Sequence, residues 1–214
     1  MKKIINNSRQ FYKKIGKRAL DIILSIIAII MLTPVYLIIS ILVLIFMGWP
    51  ILFKQPRSGK NEKTFNMYKF RSMSDRRDED GKLLPDNDRL STFGRVIRKI
   101  SLDELPEIFL VLIGKMSIVG PRPLPVRYLP YYTEKEHRRH NVRPGLTGLA
   151  QVNGRNNLNW DKRFALDVEY VDNVSFSLDM KIILKTIVQV FKTSDVIVRG
   201  TGKIIDFDEY RRKK

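Results

Sequence analysis

Ile22 to Phe53 reads IILSIIAIIMLTPVYLIISILVLIFMGWPILF, and none of these side chains is charged. Residues 1–20 carry Lys2, Lys3, Arg9, Lys13, Lys14, Lys17 and Arg18 and no acid. A signal peptide shares the basic start, but its apolar core is shorter and ends in small residues. This run is too long for one and closes on Gly48-Trp49-Pro50. A helix crosses the hydrocarbon core with about 20 apolar residues, so the stretch is a membrane element. Thr33-Pro34 divides it into two arms, each too short to cross alone. Proline removes a helix hydrogen bond and clashes with the preceding turn, which predicts a break there. Hydroxyls of Ser25, Thr33 or Ser40 are at hand for the freed carbonyls, since lipid offers no partner. A second basic flank follows, Lys54, Arg57, Lys60 and Lys63. Basic flanks prefer the cytoplasm, and a re-entrant hairpin keeps both there, whereas a simple span places one outside.

The totals agree with a polyanionic partner. Lysine and arginine number 39 against 22 acids, a formal net charge of +17. That excess suits nucleic acid, an anionic membrane surface or a phosphorylated substrate. The chain has no cysteine, which excludes disulfides, zinc-thiolate sites and a cysteine nucleophile.

Beyond the membrane element, Ile51-Leu52-Phe53 and Phe65 to Phe70 read as two short strands around the polar turn Ser58-Gly59-Lys60-Asn61. Alternation places Lys69 and Arg71 on one side of the second strand and Phe70 on the other. Ser74 to Leu90 is a charged surface loop, and Phe93 to Lys99 is a basic lead-in containing Arg95 and Arg98. Next comes Ser101-Leu102-Asp103-Glu104-Leu105-Pro106-Glu107, where adjacent acids open an apolar run of helical period, Leu105 to Ile113. Pro106 suits a first turn. By itself the segment reads as a capping box, Ser101 with Glu104, with both acids beside the positive end of the helix dipole. Cations at Arg95 and Arg98 would hold these carboxylates ionised, or hold a phosphate against them.

Gly120-Pro121-Arg122-Pro123 mounts an arginine between prolines, and a guanidinium pairs with phosphate oxygens in bidentate fashion. Val126 to His140 reads as a helix with a basic end. His137 and His140 lack an evident third ligand, so a zinc site is not expected. Arg143-Pro144-Gly145-Leu146-Thr147-Gly148 runs into Gln151-Val152-Asn153-Gly154-Arg155, a tightly turning segment able to offer backbone donors to an anion. It is not a Walker loop, because the Lys-Ser/Thr ending is missing. Trp160 to Tyr170 reads as helix, and Leu178 to Phe191 as an amphipathic helix for the core or the membrane interface.

Together these motifs resemble the monotopic phosphoglycosyl transferases, the bacterial sugar transferase family in its small single-domain form. The resemblance runs from about Lys17 to about Thr193 and rests on six pieces in order. They are Lys69 to Met73, Ser101 to Pro106, Gly120 to Pro123, Arg143 to Gly148, Gln151 to Arg155 and Leu178 to Lys181. It implies transfer of a sugar-1-phosphate from a UDP-sugar to undecaprenyl phosphate with release of UMP, through a covalent phosphosugar on an aspartate and with Mg²⁺. Carried over, Asp103 is the nucleophile and a metal contact, and Glu104 the neighbouring acid/base. Lys69, Arg98 and Arg122 are phosphate contacts, and Arg143, Asn153 and Arg155 further substrate contacts. Asp179 matches a family position without an assigned role.

The expected fold is therefore α+β and mainly helical. A basic amino terminus and re-entrant hairpin occupy 1–50, with the break at Thr33-Pro34. A compact interfacial catalytic domain with amphipathic helices and a small sheet occupies 51–195, and a basic tail, membrane-facing or disordered, 196–214. The expected site is the cytoplasmic face of the bacterial cell membrane, among anionic lipids and without nucleic acid; a homo-oligomer stays open. Two other classes remain. A membrane-bound phosphatase would use Asp103 but transfer to water, and a basic scaffold or nucleic-acid binder would tolerate loss of Asp103.

Overall fold

The apolar segment is the core of a long helical rod. In the computed structural model, which describes residues 2–154, 158–191 and 205–214, α1 (Lys2–Phe11) passes through a π-helical turn, Tyr12–Gly16, into α2 (Lys17–Met47). Strands β1 (Leu52–Ser58) and β2 (Thr64–Phe70) form an antiparallel hairpin, with Leu52 opposite Phe70 and Ser58 opposite Thr64. Helices α3 (Asp86–Arg89), α4 (Thr92–Lys99) and α5 (Glu107–Leu112) follow. Strand β3 (Ser117–Val119) pairs in parallel with β4 (Gly145–Thr147), and α6 (Glu134–His137) lies between them in sequence. The chain closes with α7 (Leu149–Val152), α8 (Trp160–Asn173), α9 (Phe176–Phe191) and α10 (Phe207–Arg212). The class is as expected, mainly helical with small sheets.

Pro34 does not divide the apolar segment into two helices, as expected from the sequence; α2 is assigned as helix without interruption through it. Packing explains the difference. On one side of Pro34, Ala28 and Ile29 pack with Phe65, Met67, Ile108 and Val111. On the other, Ile39 and Val43 pack with Phe70 and Ile97. This burial offsets the roughly 3 kcal/mol that an internal proline costs a helix. Thr33 Oγ1 donates to the Ile29 carbonyl at 2.8 Å and Ser25 Oγ to that of Ile22 at 3.0 Å, back-bonds that relax a helix locally. The opposite face stays bare, with Ile30, Met31, Leu37, Ile41 and Ile45 exposed.

Both ends of α2 are tied to the same globular body. At its start, Arg18 donates to the Val111 and Leu112 carbonyls at 2.6 Å each, at the negative end of α5. Lys17 donates to Asp179 at 2.7 Å. Asp179 is buried on α9 and also takes Tyr12 Oη at 2.6 Å and Tyr170 Oη at 2.8 Å. It is a structural hub joining the amino-terminal rod to α8 and α9. In the middle, Tyr36 Oη donates to the Leu105 carbonyl at 2.8 Å. At the far end Arg71, just beyond β2, donates to the Met47 and Trp49 carbonyls at 3.1 Å each.

Two further stretches depart from expectation. Val126 to His140 is not one helix: 3-10 turns Val126–Tyr131 and Arg138–Asn141 flank the short α6. Pro130 interrupts the run, and Thr133 starts a new helix with a capping box to Glu136. Of the expected tail, residues 196–204 lie outside the described residues, while 205–214 are docked on the body rather than loose. On α10, Phe207 is fully buried among Tyr128, Tyr132, Trp160 and Phe164. Asp206 accepts from Tyr128 Oη at 2.9 Å and Arg211 pairs with Glu136.

Asp179→Ala leaves Lys17 and the buried Tyr12 hydroxyl without their acceptor, and Tyr170 with the Val119 carbonyl alone. It should cost the detergent-solubilised protein about 3–5 kcal/mol, the range for breaking a buried ion pair; thermal unfolding reads this, and an unchanged midpoint would contradict the hub. Phe207→Ala should cost about 3–5 kcal/mol by cavity formation, whereas a free tail would give no shift.

Candidate active site

Three elements deliver the candidate residues. Strand β2 alternates, with Phe65 and Met67 buried, and sends Lys69 toward the start of α5 on their face. The Asp-Glu pair lies in a 3-10 turn, Leu102–Glu104, ahead of α5, and Pro106 caps α5 without a side-chain hydrogen bond. The capping box expected between Ser101 and Glu104 is absent. Ser101 takes a left-handed conformation (φ 59°) and makes no side-chain cap. Glu104 is instead turned toward cations.

Arg122 arrives from the loop after β3. That loop is pinned by Gly120 N to the Thr147 carbonyl at 2.8 Å and Gly145 N to the Pro121 carbonyl at 3.0 Å. A Cβ on Gly145 would lie 2.1 Å from the Gly120 nitrogen, so the two backbones meet only because residue 145 is glycine. Buried Arg139 donates to the Arg122 carbonyl at 2.7 Å and to Asp167 at 2.8 and 3.0 Å. The main chain under Arg122 is thus held by a buried ion pair.

The three carboxyls receive unequal treatment. Glu104 Oε1 takes Lys69 Nζ at 2.5 Å and Arg122 Nη2, with Arg122 Nη1 3.4 Å from Oε2. Burial opposes its charge, but Arg122 and Lys69 outweigh that, and Glu104 is held well below the usual carboxylate range. Asp103, only 8% exposed, has no hydrogen-bond or ion-pair partner among the described residues. Burial raises its pKa despite the fields of Lys69, Arg98 and Arg122. The cations that hold Glu104 ionised are Arg122 and Lys69, not the expected Arg95 and Arg98. Glu107, 2% exposed, was not singled out from the sequence. Its Oε1 lies 3.3 Å from Lys69 Nζ without a hydrogen bond. Burial, then the neighbouring Glu104 charge, push it up to about 7. The signal for it was the three-residue spacing from Glu104, which places two acids on one side of a helical turn.

Of the sequence-predicted set, the structure brings together Asp103, Glu104, Lys69, Arg122 and Arg98. Arg98 is fixed by Nε donation to Ser72 Oγ at 2.8 Å. Arg143 instead donates to the Gly114 carbonyl at 2.8 Å, and Asn153 to that of Leu149 at 2.9 Å while accepting from Lys185 at 3.3 Å. Arg155 lies outside the described residues. As a metal site, the unpaired Asp103 carboxylate suits Mg²⁺, which commonly takes one or two carboxylates together with substrate phosphates. Glu104 does not suit it, since its oxygens are engaged by cations.

A second group, Glu62 with His137 and His140, supplies the third ligand type that the sequence did not reveal, with ligand atoms within 4.8 Å of one another. His137 Nδ1 lies 2.5 Å from Glu62 Oε1, and His140 Nδ1 3.2 Å from the His137 carbonyl oxygen. Burial and the adjacent Arg139 push His140 down to about 3, so it is neutral. The fixed charge of Arg139, 3.4 Å from His140 Nε2, opposes a second cation there. These groups pin the β1–β2 turn.

Residues 12–193 match the family model described as bacterial sugar transferase. The chain is 49% identical over 180 residues to the uncharacterized sugar transferase EpsL of Bacillus subtilis, covering 84% of this chain and 89% of that protein. It is 37% identical over 190 residues to the exopolysaccharide production protein ExoY of Sinorhizobium fredii, covering 81% and 84%. It is also 39% identical over 190 residues to the UDP-glucose:undecaprenyl-phosphate glucose-1-phosphate transferase of Klebsiella pneumoniae, covering 82% of this chain and 40% of that longer protein.

The raised Glu107 predicts a pH signature. Between its ordinary 4.5 and about 7 the folded state binds more protons than the unfolded one, so this group's contribution to stability falls as pH rises through that window. Asp103 acts in the same direction, whereas Glu104 stabilises above its ordinary value and loses that as pH falls. Glu107→Gln should therefore flatten the decline of thermal stability between about pH 5 and 7; identical profiles for the two proteins would contradict the assignment.

Proposed function

The chain belongs to the bacterial sugar transferase family, and on that premise we propose that it transfers a sugar-1-phosphate from a UDP-sugar to undecaprenyl phosphate, releasing UMP. The reaction would begin the membrane stage of bacterial polysaccharide or glycoprotein assembly. The observation that carries the reading is the contrast between neighbours: Asp103 has no partner among the described residues, while Glu104 is clamped by Lys69 and Arg122. A carboxylate attacks phosphorus only when its lone pairs are free, and covalent catalysis then divides one transfer into two steps.

In the first step an Asp103 oxygen bonds to the sugar-bearing phosphorus, and the bond to the bridging oxygen breaks. UMP departs with that electron pair. In the second, an oxygen of the lipid phosphate bonds to the same phosphorus, and the Asp103 carboxylate leaves with the pair it brought. Arg122, Lys69 and Arg98 offset the repulsion between a carboxylate and a diphosphate. Mg²⁺ at Asp103 would supply further neutralisation of phosphate charge. Glu104, held ionised by its two cations, serves to aim them and is a poor base in this arrangement.

The setting we propose is the cytoplasmic face of the membrane. At about 1.5 Å per residue, a straight helix of the 31 residues of α2 is about 46 Å long, more than the ~30 Å hydrocarbon core. Its start, middle and end all bond to one globular body, which supports a helix lying along one face of the membrane rather than crossing it. The bare apolar side of α2 would face lipid. The exposed Leu184, Ile187 and Val188 of α9, near Lys181 and Lys185, would meet an anionic interface.

Asp103→Asn should lower UMP release, measured across a panel of UDP-sugars with undecaprenyl phosphate, by at least about a thousandfold while the protein stays in the membrane fraction. Retained turnover would remove Asp103 as the nucleophile. Tags at both termini should be accessible from the cytoplasm only, and an amino terminus reached from outside would overturn the topology.

A further inference from the structure

Glu107 has no task in the steps above, yet it is the most buried acid of the site. Its Oε1 receives no hydrogen bond among the described residues and lies 3.3 Å from Lys69 Nζ. That ammonium also sits 2.5 Å from Glu104 Oε1, an oxygen that already takes Arg122. Glu104 and Glu107 are three residues apart across the junction of the 3-10 turn and α5, the spacing that places side chains on one side of a helical turn. Lys69 is a long, flexible side chain with three donors and many rotamers. A single contact to Glu104 would leave it free to swing; a second carboxylate on another line fixes the ammonium in a plane. The lysine side chain as a whole is 19% exposed.

We propose that Glu107 is a positioning residue that, with Glu104, forks the Lys69 ammonium and aims its remaining N–H at the phosphate of the incoming substrate. The inference rests on the transferase reading for the identity of that phosphate, but not for the contact itself. The carboxyl acts through Lys69 and touches no reacting atom.

Two measurements on the full-length detergent-solubilised protein test this. The first is a cycle of Glu107→Ala, Lys69→Ala and the double variant, read as kcat/KM for UMP release. Glu107→Ala should cost about tenfold or more alone and add little to Lys69→Ala, because a residue acting only through its partner shows full coupling. Glu107→Gln, which keeps an acceptor at the same volume, should lose less than Glu107→Ala. Equal losses with and without Lys69 would show a merely structural role and overturn the proposal. The second is substrate-free amine acylation followed by peptide mass spectrometry. Without Glu107 the ammonium has one anchor rather than two and swings more readily toward solvent, where the reagent meets it. Lys69 should therefore react several-fold faster in Glu107→Ala, with Lys185 as the unchanged reference, and an unchanged Lys69 rate would overturn the fork. Wild-type protein that turns over no UDP-sugar would sink the transferase reading while the acylation result still decides the Glu107–Lys69 contact.

Discussion

Lys69 and Arg122 both direct their charge at Glu104, and the character of the other two acids follows from that choice. With Glu104 ionised and clamped, the neighbouring Asp103 keeps its carboxylate without a partner among the described residues. Glu107 is left with half a share of one ammonium. Three carboxyls in one short stretch thus acquire three chemistries from a single asymmetric distribution of cations. Sequence neighbours that share composition are separated by environment, as a low-dielectric site with fixed cations allows.

The rest of the molecule holds that distribution in place. Arg122 stands on a backbone fixed by the buried Arg139–Asp167 pair, and the glycine contact at Gly120 and Gly145 sets the loop's path. Lys69 issues from a strand whose face packs against α5 and α2. Helix α2 is fastened at Lys17, Arg18, Tyr36 and Met47, which ties the long apolar helix to the site along its length. For an enzyme working between a soluble donor and a lipid acceptor, this rigidity would fix the depth of Asp103 relative to the bilayer surface. Asp179, on α9, supports the site from a distance by locking the amino-terminal rod to the helices behind it.

Where local chemistry decides structure, the sequence was legible. The strand alternation through Phe70, the helical periods of α8 and α9, and the long uncharged run of α2 all read correctly because each is set by neighbours a few residues away. Pro34 misled because a helix penalty of a few kcal/mol is small beside burial on both of its sides. The Ser101–Glu104 box misled because cap chemistry lost to two cations arriving from β2 and the Arg122 loop. Val126 to His140 carried its own warning in Pro130 and in the Thr133–Glu136 box. The pairs that decide the site, Lys69 with Glu104 and Glu107 or Arg139 with Asp167, are distant in sequence and leave no local trace. Glu62 beside His137 and the seat of Phe207 were hidden for the same reason.

Asp103 is free because Glu104 is bound, and the proposed mechanism uses that freedom to attack phosphorus. Its most direct test is peptide mass spectrometry of the protein after incubation with an accepted UDP-sugar in the absence of lipid phosphate. A sugar-phosphate adduct should form on Asp103 and disappear when undecaprenyl phosphate is added. An adduct mapped to Glu104 or Glu107, or turnover with no adduct on the protein, would contradict that mechanism.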